Sequence, residues 1–466
     1  MAGDRVLLII LLVALALRLQ LATAQPYVHD ENNTAIPLAQ TISFSPDRLH
    51  LPLRGENHGA LPAYIVNASS ELFGTTPLAY RALHVTMGLG TILLVYVMAR
   101  RWSGARAAQW AAALLAFNEY FLAVSSRATA HVPHLFFVTV TLAAFARFLE
   151  SQRVRYLYAA AVPLGLAFYT KEHSALLVPI LFLTLLRRSH RAWLRSPHPY
   201  LTVVVFLAVL GPDLLWNLTT EPGSTPITYG NQTASQATYG HHLQRIGGLG
   251  LSPYPSMFYG HDVVMPLHRM VTGTELRDET PEYPAMNPML GLLLVGGVVL
   301  SSVRGGLGDH TRTLLLLTFW GVFLFFTFIE RGNPPGRLDP VSWIWVEVTI
   351  IPAVILAGTR LAEAAGRLRP VVWALAFGLL IYASAGPVLA VGARGVRGVQ
   401  QVHAQIGQAR DSVAFTTVDY VRRRPLRAVA LALTTGLIVG TGLGVAAGLA
   451  IRRGARRVAR RDSSST

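Results

Sequence analysis

The chain has 466 residues, 52% of them hydrophobic and 14% charged, with 40 Lys and Arg against 24 Asp and Glu for a formal net charge of +16. A soluble domain carries roughly 25% charged residues, so this chain lacks the charge to cover a water-facing surface. It contains no cysteine, which excludes disulfides and thiolate chemistry, and its arginines gather between apolar runs as membrane-loop charge rather than as a nucleic-acid surface.

The elements follow in alternation. Arg5 precedes a long apolar run that ends near Ala22-Thr23-Ala24 and is interrupted by Arg18. This reads as an uncleaved first span that delivers residue 25 to the outer side. Residues 25–77 form an outer segment rich in Pro, Asn, His and acids, with an amphipathic stretch at 60–73. Apolar segments are then expected at 78–99, 107–124, 131–149, 156–170, 174–186 and 200–216. A bilayer core takes about 20 mostly apolar residues per helix, so the pair at 156–170 and 174–186 is short and suggests local thinning. The basic loops 100–106, 151–155 and 187–198 lie inside by charge. By parity, the turn 125–130 and Lys171-Glu172-His173 lie outside.

A second outer segment, 217–286, carries no apolar run. Spans are then expected at 288–303, 313–328, 343–358, 370–391 and 428–451, with an outer loop at 330–342 and a basic cytoplasmic tail at 452–461. The arginine-rich loop 392–427 falls outside by parity, against its charge. The expectation is an all-α polytopic membrane protein of about twelve transmembrane helices. It divides into a core module 1–215 that includes outer loop 25–77, a second outer loop 216–286, and C-terminal helices with a basic tail, 287–466.

Ionisable groups near lipid are costly and therefore informative. His29-Asp30-Glu31 follows the first helix directly, and Glu56-Asn57-His58 heads the amphipathic stretch. A carboxylate at an apolar boundary holds its proton more tightly and can act as a general base. The plain alternative is that Asp30 caps the following helix and Glu31 completes its first turn. Arg127, Lys171 and Arg337 all fall on the outer side near helix ends, where fixed cations can stabilise a phosphate leaving group. A single such arginine more often snorkels. His131, His134 and His173 nearby can bind phosphate, bind metal or cap helices; taken singly, each reads as structural.

The run 57–102, NHGALPAYIVNASSELFGTTPLAYRALHVTMGLGTILLVYVMARRW, resembles the signature of the GT-C membrane glycosyltransferases. More narrowly, it resembles the branch holding the protein O-mannosyltransferases and the aminoarabinose transferase of lipid A. The Leu72-Phe73-Gly74 turn, Arg81 and Arg100-Arg101-Trp102 carry the likeness, which continues through 118–127 and 165–183. The resemblance implies a GT-C fold with amphipathic helices in the first outer loop. It implies glycosyl transfer from a polyprenyl-phosphate sugar to a lipid, glycan or protein acceptor at the non-cytoplasmic face of the cell membrane. Asp30 would be the catalytic aspartate with Glu31 or Glu56 as second carboxylate, and Arg127 and Lys171 would contact the donor phosphate, with Arg337 and His58 as further candidates. Asn57 stands where the aminoarabinose transferases place a lysine, and Ala63-Tyr64 replaces an aromatic pair, so donor sugar and phosphate clamp stay open.

Neither a nucleotide cofactor nor a nucleic-acid partner is expected, and His29, Glu31 and His58 leave a divalent metal site open. Two alternatives remain: a flippase for polyprenyl-linked glycans, which would keep polar groups at mid-bilayer, and a non-catalytic scaffold of the same fold. The spans read as nearly free of buried charge, which favours an enzyme over a flippase.

Overall fold

The structure is a computed structural model that describes residues 2–24, 27, 31, 35–41, 61–219, 226–229, 232–235, 250–251, 288–304, 309–330 and 347–365. Asp30, Glu56, His58, Arg337 and the expected spans 370–391 and 428–451 lie outside these residues.

Helix α1, Ala2–Ala24, has 23 residues, about 34 Å at the standard rise and enough to cross a bilayer core. Its residues Ile10, Ala14, Leu17 and Leu21 are buried while Leu8, Ile9, Leu12 and Val13 are exposed. The buried positions repeat at helical spacing, so one stripe meets the bundle and the other meets lipid. Short helix α2, Ile36–Thr41, and α3, Leu61–Phe73, follow. The α3 helix matches the expected amphipathic stretch, and Asn67 Nδ2 donates to the Ala39 carbonyl at 2.9 Å to tie α3 to α2.

Helix α4, Pro77–Ala116, starts on an N-cap from Thr76, whose hydroxyl accepts from Ala79 N, with proline in the first turn. It is broken at Gly104, whose φ of 85° suits glycine. The break is a reversal. Arg81 near the start contacts Glu31, Arg101 contacts Glu150 at the far end, and the Ala116 carbonyl returns to accept from Arg18. The two arms correspond to the expected second span and the beginning of the third. The expected third span, 107–124, is itself interrupted: Asn118 Oδ1 accepts from Phe121 N at 2.9 Å and opens a new short helix α5, Glu119–Val124. An Asn competes well for such a cap, and that local bond ends the longer helix.

Helix α6, His131–Ser151, ends on left-handed Gln152. Helix α7, Val154–Thr170, leads through a 3₁₀ turn, Glu172–Leu176, into α8, Leu177–Leu185. After another 3₁₀ turn, Arg191–Arg195, come α9, His198–Thr219, α10, Pro288–Val303, and α11, Asp309–Phe328. A 3₁₀ turn, Glu347–Thr349, precedes α12, Ile350–Ala365. Two short antiparallel pairings accompany the helices: β1, Pro226–Tyr229, with β2, Gln232–Ser235, and β3, Gly250–Leu251, with β4, Ile329–Glu330. The second of these ties the segment after α9 to the end of α11.

The core sits where α12 packs on the second arm of α4. Ala107, Ala108, Ala111, Ala112, Ala113 and Ala116 are all fully buried. A side chain at Gly358 would stand 2.7 Å from Ala111 N and 2.8 Å from the Ala107 carbonyl, so the two backbones nearly touch. Small residues at such a contact are how membrane helices gain dispersion energy without a hydrophobic driving force. Among the described residues, three helices are long and apolar enough to span a membrane, and four shorter apolar helices accompany them. With exposed Tyr200, Leu201, Val203, Val204 and Leu207 on α9 as well, the exterior is one for lipid rather than water. The chain is an integral membrane protein.

Candidate active site

The bundle has two polar ends. One holds Arg101, Glu150 and the basic loops. The other collects the C-terminus of α1, the start of α4, the turn 125–130, the α7–α8 junction and the start of α12. Among the described residues, nearly every buried ionic group belongs to that second end.

Glu31 and Arg81 form its first cluster. The Arg81 Nε donates to Glu31 Oε1 and Nη2 to Oε2, both at 2.7 Å, in a two-pronged pair with no exposure on either side chain. The backbone N of Ala128 donates to Glu31 Oε1 at 2.6 Å, and Arg81 Nη1 donates to the Ala22 carbonyl at 2.9 Å. Paired forks of this kind fix geometry as well as charge. One carboxylate therefore ties together the end of α1, the start of α4 and the turn 125–130. Tyr27 lies over the Arg81 guanidinium at 5.0 Å. Burial raises the Tyr27 phenol above its ordinary range, with Arg81 opposing and Glu31 adding to the shift. Ala35, Ile36, Ala39, Val66, Tyr80 and Ala128 close an apolar cluster around it.

Glu31 and Ala35 are themselves helical just before α2 begins at Ile36, so Glu31 stands at the helix entry as well as in the fork. Both its oxygens are engaged in the fork, so its place is that of an anchor beside Asp30.

The second cluster surrounds Glu347. Its Oε1 accepts from His134 Nδ1 at 2.6 Å and from Lys171 Nζ at 2.9 Å. Its Oε2 accepts from the Tyr120 hydroxyl at 2.6 Å and from His131 Nδ1 at 2.7 Å. Lys171 Nζ also lies 2.5 Å from His131 Nδ1, and His134 Nε2 bonds Ser174 Oγ at 2.8 Å. Glu347, His134, His131 and Lys171 are at most 1% exposed. Local structure explains the convergence. His131 and His134 stand three apart on the first turn of α6 and so share a face, while Lys171 ends α7 in an extended conformation.

The two clusters adjoin. Ala128 and His131 are three residues apart, which holds their Cα atoms within about 11 Å. Arg127 is buried in the same turn, at 1% exposure. Behind the turn, Arg18 Nε donates to Ser125 Oγ at 2.7 Å and Nη1 to the Ala116 carbonyl at 3.3 Å. A cation thus meets the negative end of the preceding helix.

Of the residues singled out from sequence, Glu31, Arg127 and Lys171 converge here, and Asp30 adjoins Glu31 in the chain. Glu56, His58 and Arg337 lie outside the described residues. Glu347 and Tyr120 were missed. Glu347 falls inside the apolar run 343–358, and a lone acid there demands a cationic partner; that demand was the signal. The spans are consequently less free of buried charge than the sequence suggests, but Glu347 sits at the start of its span rather than at mid-depth. His131 and His134, which read singly as structural, act together on one carboxylate. Among the described residues no cluster of three or more His, Cys, Asp or Glu is arranged to hold a metal ion.

The arrangement is the fold of the GT-C membrane glycosyltransferases. The structure of ArnT from Cupriavidus metallidurans bound to undecaprenyl phosphate superposes with a TM-score of 0.55 at 19% identity, over 94% of this chain and 76% of that one. The apo form of the same protein gives 0.51 at 18% identity, over 95% and 77%. Residues 57–216 match the family described as dolichyl-phosphate-mannose-protein mannosyltransferase, the branch the sequence resembles. An Aquifex aeolicus (strain VF5) protein titled "Uncharacterized protein" is 27% identical over 154 residues, 32% of this chain and 31% of its own length. The match thus spans about a third of that curated relative.

Proposed function

We propose that this chain transfers a sugar from a polyprenyl-phosphate donor to a lipid, glycan or protein acceptor, with Asp30 as the general base. The observation that carries this reading is the Glu31–Arg81 fork, braced by Ala128 N. It fixes the residue after Asp30 at the end of the bundle that also holds Arg127 and Lys171. In the proposed step, an acceptor hydroxyl or amine attacks the anomeric carbon as Asp30 takes its proton. The sugar–phosphate bond breaks, and the prenyl phosphate leaves with the electron pair and inverts the anomeric centre. Lys171 and Arg127 oppose the charge that grows on the phosphate, with Arg337 and His58 assigned to the same anion and Glu56 as second carboxylate. The donor class agrees with the undecaprenyl phosphate bound by the Cupriavidus ArnT.

The site is assigned to the non-cytoplasmic face of the cell membrane. Arg100, Arg101, Arg106, Arg147, Arg153 and Arg187 crowd the opposite end of the described bundle, and basic loops stay inside.

Asp30→Asn tests the reading. Purified protein in lipid vesicles is assayed with a panel of radiolabelled polyprenyl-phosphate sugars. Loss of a general base costs roughly 10²–10⁴-fold, so transfer should fall by that factor with the protein still folded. Asn and Asp cap helices about equally well, so a merely structural Asp30 would tolerate the change. Wild-type rates in Asp30→Asn would remove Asp30 as the base. Active Glu31→Gln and Glu56→Gln proteins in addition would remove the enzyme reading.

A further inference from the structure

Glu347 is held by more donors than a structural ion pair needs. A carboxylate has about four lone-pair positions on two oxygens, and Tyr120, His131, His134 and Lys171 each supply one donor to it. One of them, Lys171, carries a fixed positive charge, and the two histidines add charge only when protonated. The donors are crowded: Lys171 Nζ and His131 Nδ1 stand 2.5 Å apart over the same small anion. Two donors so close compete for one small carboxylate, and a larger anion with its oxygens set wider apart would let them separate. A phosphate ester is such an anion. The donor set is built from α5, α6 and the α7–α8 junction, whereas the carboxylate arrives from a different element, the turn that opens α12.

We infer that Glu347 is a resident counter-ion in the donor's phosphate seat, held by Lys171, His131, His134 and Tyr120 until the prenyl phosphate displaces it. This rests on the reading of Lys171 as a donor contact and adds the anion it must exchange. The carboxylate keeps buried Lys171 neutralised while the site is empty, since an uncompensated buried charge is strongly destabilising. It also lowers the affinity of the site for phosphate, because each arriving headgroup must first free the donors from Glu347. Product release benefits in the same way: the spent prenyl phosphate leaves as Glu347 returns. A second consequence is mechanical. Glu347 opens α12, and α12 packs on α4 at Gly358 and on α10 at Gly297, whose Cβ would stand 2.5 Å from Ala357 Cα. Displacing the carboxylate frees the start of α12 from the Tyr120, His134 and Lys171 contacts that tie it to α5, α6 and the end of α7.

The test is direct binding to the full chain in nanodiscs, with radiolabelled undecaprenyl phosphate and, separately, inorganic phosphate as probes. Glu347→Gln keeps size and removes the competing charge. Undecaprenyl phosphate should bind it more tightly than wild type by roughly tenfold or more, the scale of one charge-assisted contact. Adding Lys171→Met should abolish the gain. A residue that merely braces the fold, or one that contacts the donor favourably, would give equal or weaker binding on loss of its charge, and that result overturns the inference. Should Glu347→Gln fail to fold, Glu347→Asp serves. Its shorter carboxylate withdraws from the four donors while keeping the charge, and a smaller gain is expected; none overturns the proposal. A gain confined to inorganic phosphate overturns the lipid headgroup as occupant. Wild-type binding with no gain in the variants sinks this inference alone, whereas no binding by any of the proteins sinks the donor assignment with it.

Discussion

The two ends of the bundle solve the same problem, how to place charge beside lipid, in opposite ways. At the Glu31 end, carboxylates and cations are sealed: Glu31, Arg81 and Glu347 have no exposure and Lys171 has 1%. At the Gly104 end, the Arg101–Glu150 pair leaves 48% and 22% of its side chains in solvent, and Arg360–Glu363 leaves 11% and 48%. Sealing ions gives up several kcal/mol of hydration for each one, and a hydrophobic replacement of equal volume is often at least as stable. Stability alone therefore does not explain the sealed end. What it provides is fixed geometry: α1, α4 and the turn 125–130 locked around one carboxylate, and α12 tied to α6 and α7 around another. The open end needs no such precision and keeps its charges in water.

If this contrast holds, the largest effect comes from breaking the Glu31–Arg81 fork on one side. Arg81→Ala leaves buried Glu31 without its guanidinium, at a cost of about 3–5 kcal/mol, seen as a marked drop in the thermal midpoint of the purified protein. Arg81→Lys cannot reproduce the two-pronged contact and should recover the midpoint only in part. The informative case is the double variant Glu31→Gln/Arg81→Met, which removes both charges. Stability should return toward wild type while glycosyl transfer stays low, because the residue beside Asp30 is no longer held. Recovery of both would reduce the fork to a structural pair.

Much of this end was legible in the sequence, for a physical reason. Helices are local, so the apolar runs gave α6, α7, α10 and the turn 125–130 nearly to the residue. Arg127 and Lys171 stood out because positive charge on the outer side runs against the usual bias. The partner of each charge was not legible. Glu31 and Arg81 are 50 residues apart and Lys171 and Glu347 are 176 apart, and pairing at such separations is decided by packing. The break at Asn118 also escaped, because one side-chain cap inside an apolar run leaves the hydrophobic period unchanged. The clearest lesson is Glu347, which a span of fixed length absorbed although its charge marked it as an end.

A smaller effect tests the open end by pH. Gln152 is oriented by the Trp193 indole N–H, which donates to its Oε1, and by its own Nε2 donating to the Leu149 carbonyl at 2.7 Å. Its Nε2 also donates to His190 Nδ1 at 3.0 Å, and His190 Nε2 then donates to His310 Nδ1 at 2.9 Å. With Nδ1 accepting, His190 is neutral in the folded chain. Burial first, then His310 and Arg187, push its pKa down to about 4 from 6.5. Between those values the unfolded chain binds a proton that the folded chain refuses, so the stability present above pH 6.5 is lost as pH falls toward 4. The thermal midpoint should decline across that window, and His190→Gln should flatten part of the decline. An identical decline in the variant would place the titration elsewhere.

The smallest effect belongs to the exposed pair. Arg101 Nε meets Glu150 Oε2 at 2.5 Å, and the neighbouring Trp102 indole donates to Glu150 Oε1 at 2.8 Å. Arg147 approaches the same carboxylate at 3.3 Å, one turn away on α6. Exposed pairs of this kind contribute about 0.2–1 kcal/mol, because water screens the attraction and two long side chains must be held in place. Arg101→Ala should therefore lower stability by no more than that, and Arg147 remains to serve Glu150. Glu150→Ala should cost slightly more, since the Trp102 N–H loses its acceptor as well. A double-mutant cycle between the two positions, run at low salt and again at about 0.5 M, separates charge from packing. The coupling should shrink at high salt, where screening reaches within a few ångströms. A coupling that stays large and indifferent to salt would mean the open end is as rigidly built as the sealed one, and the contrast between them would fail.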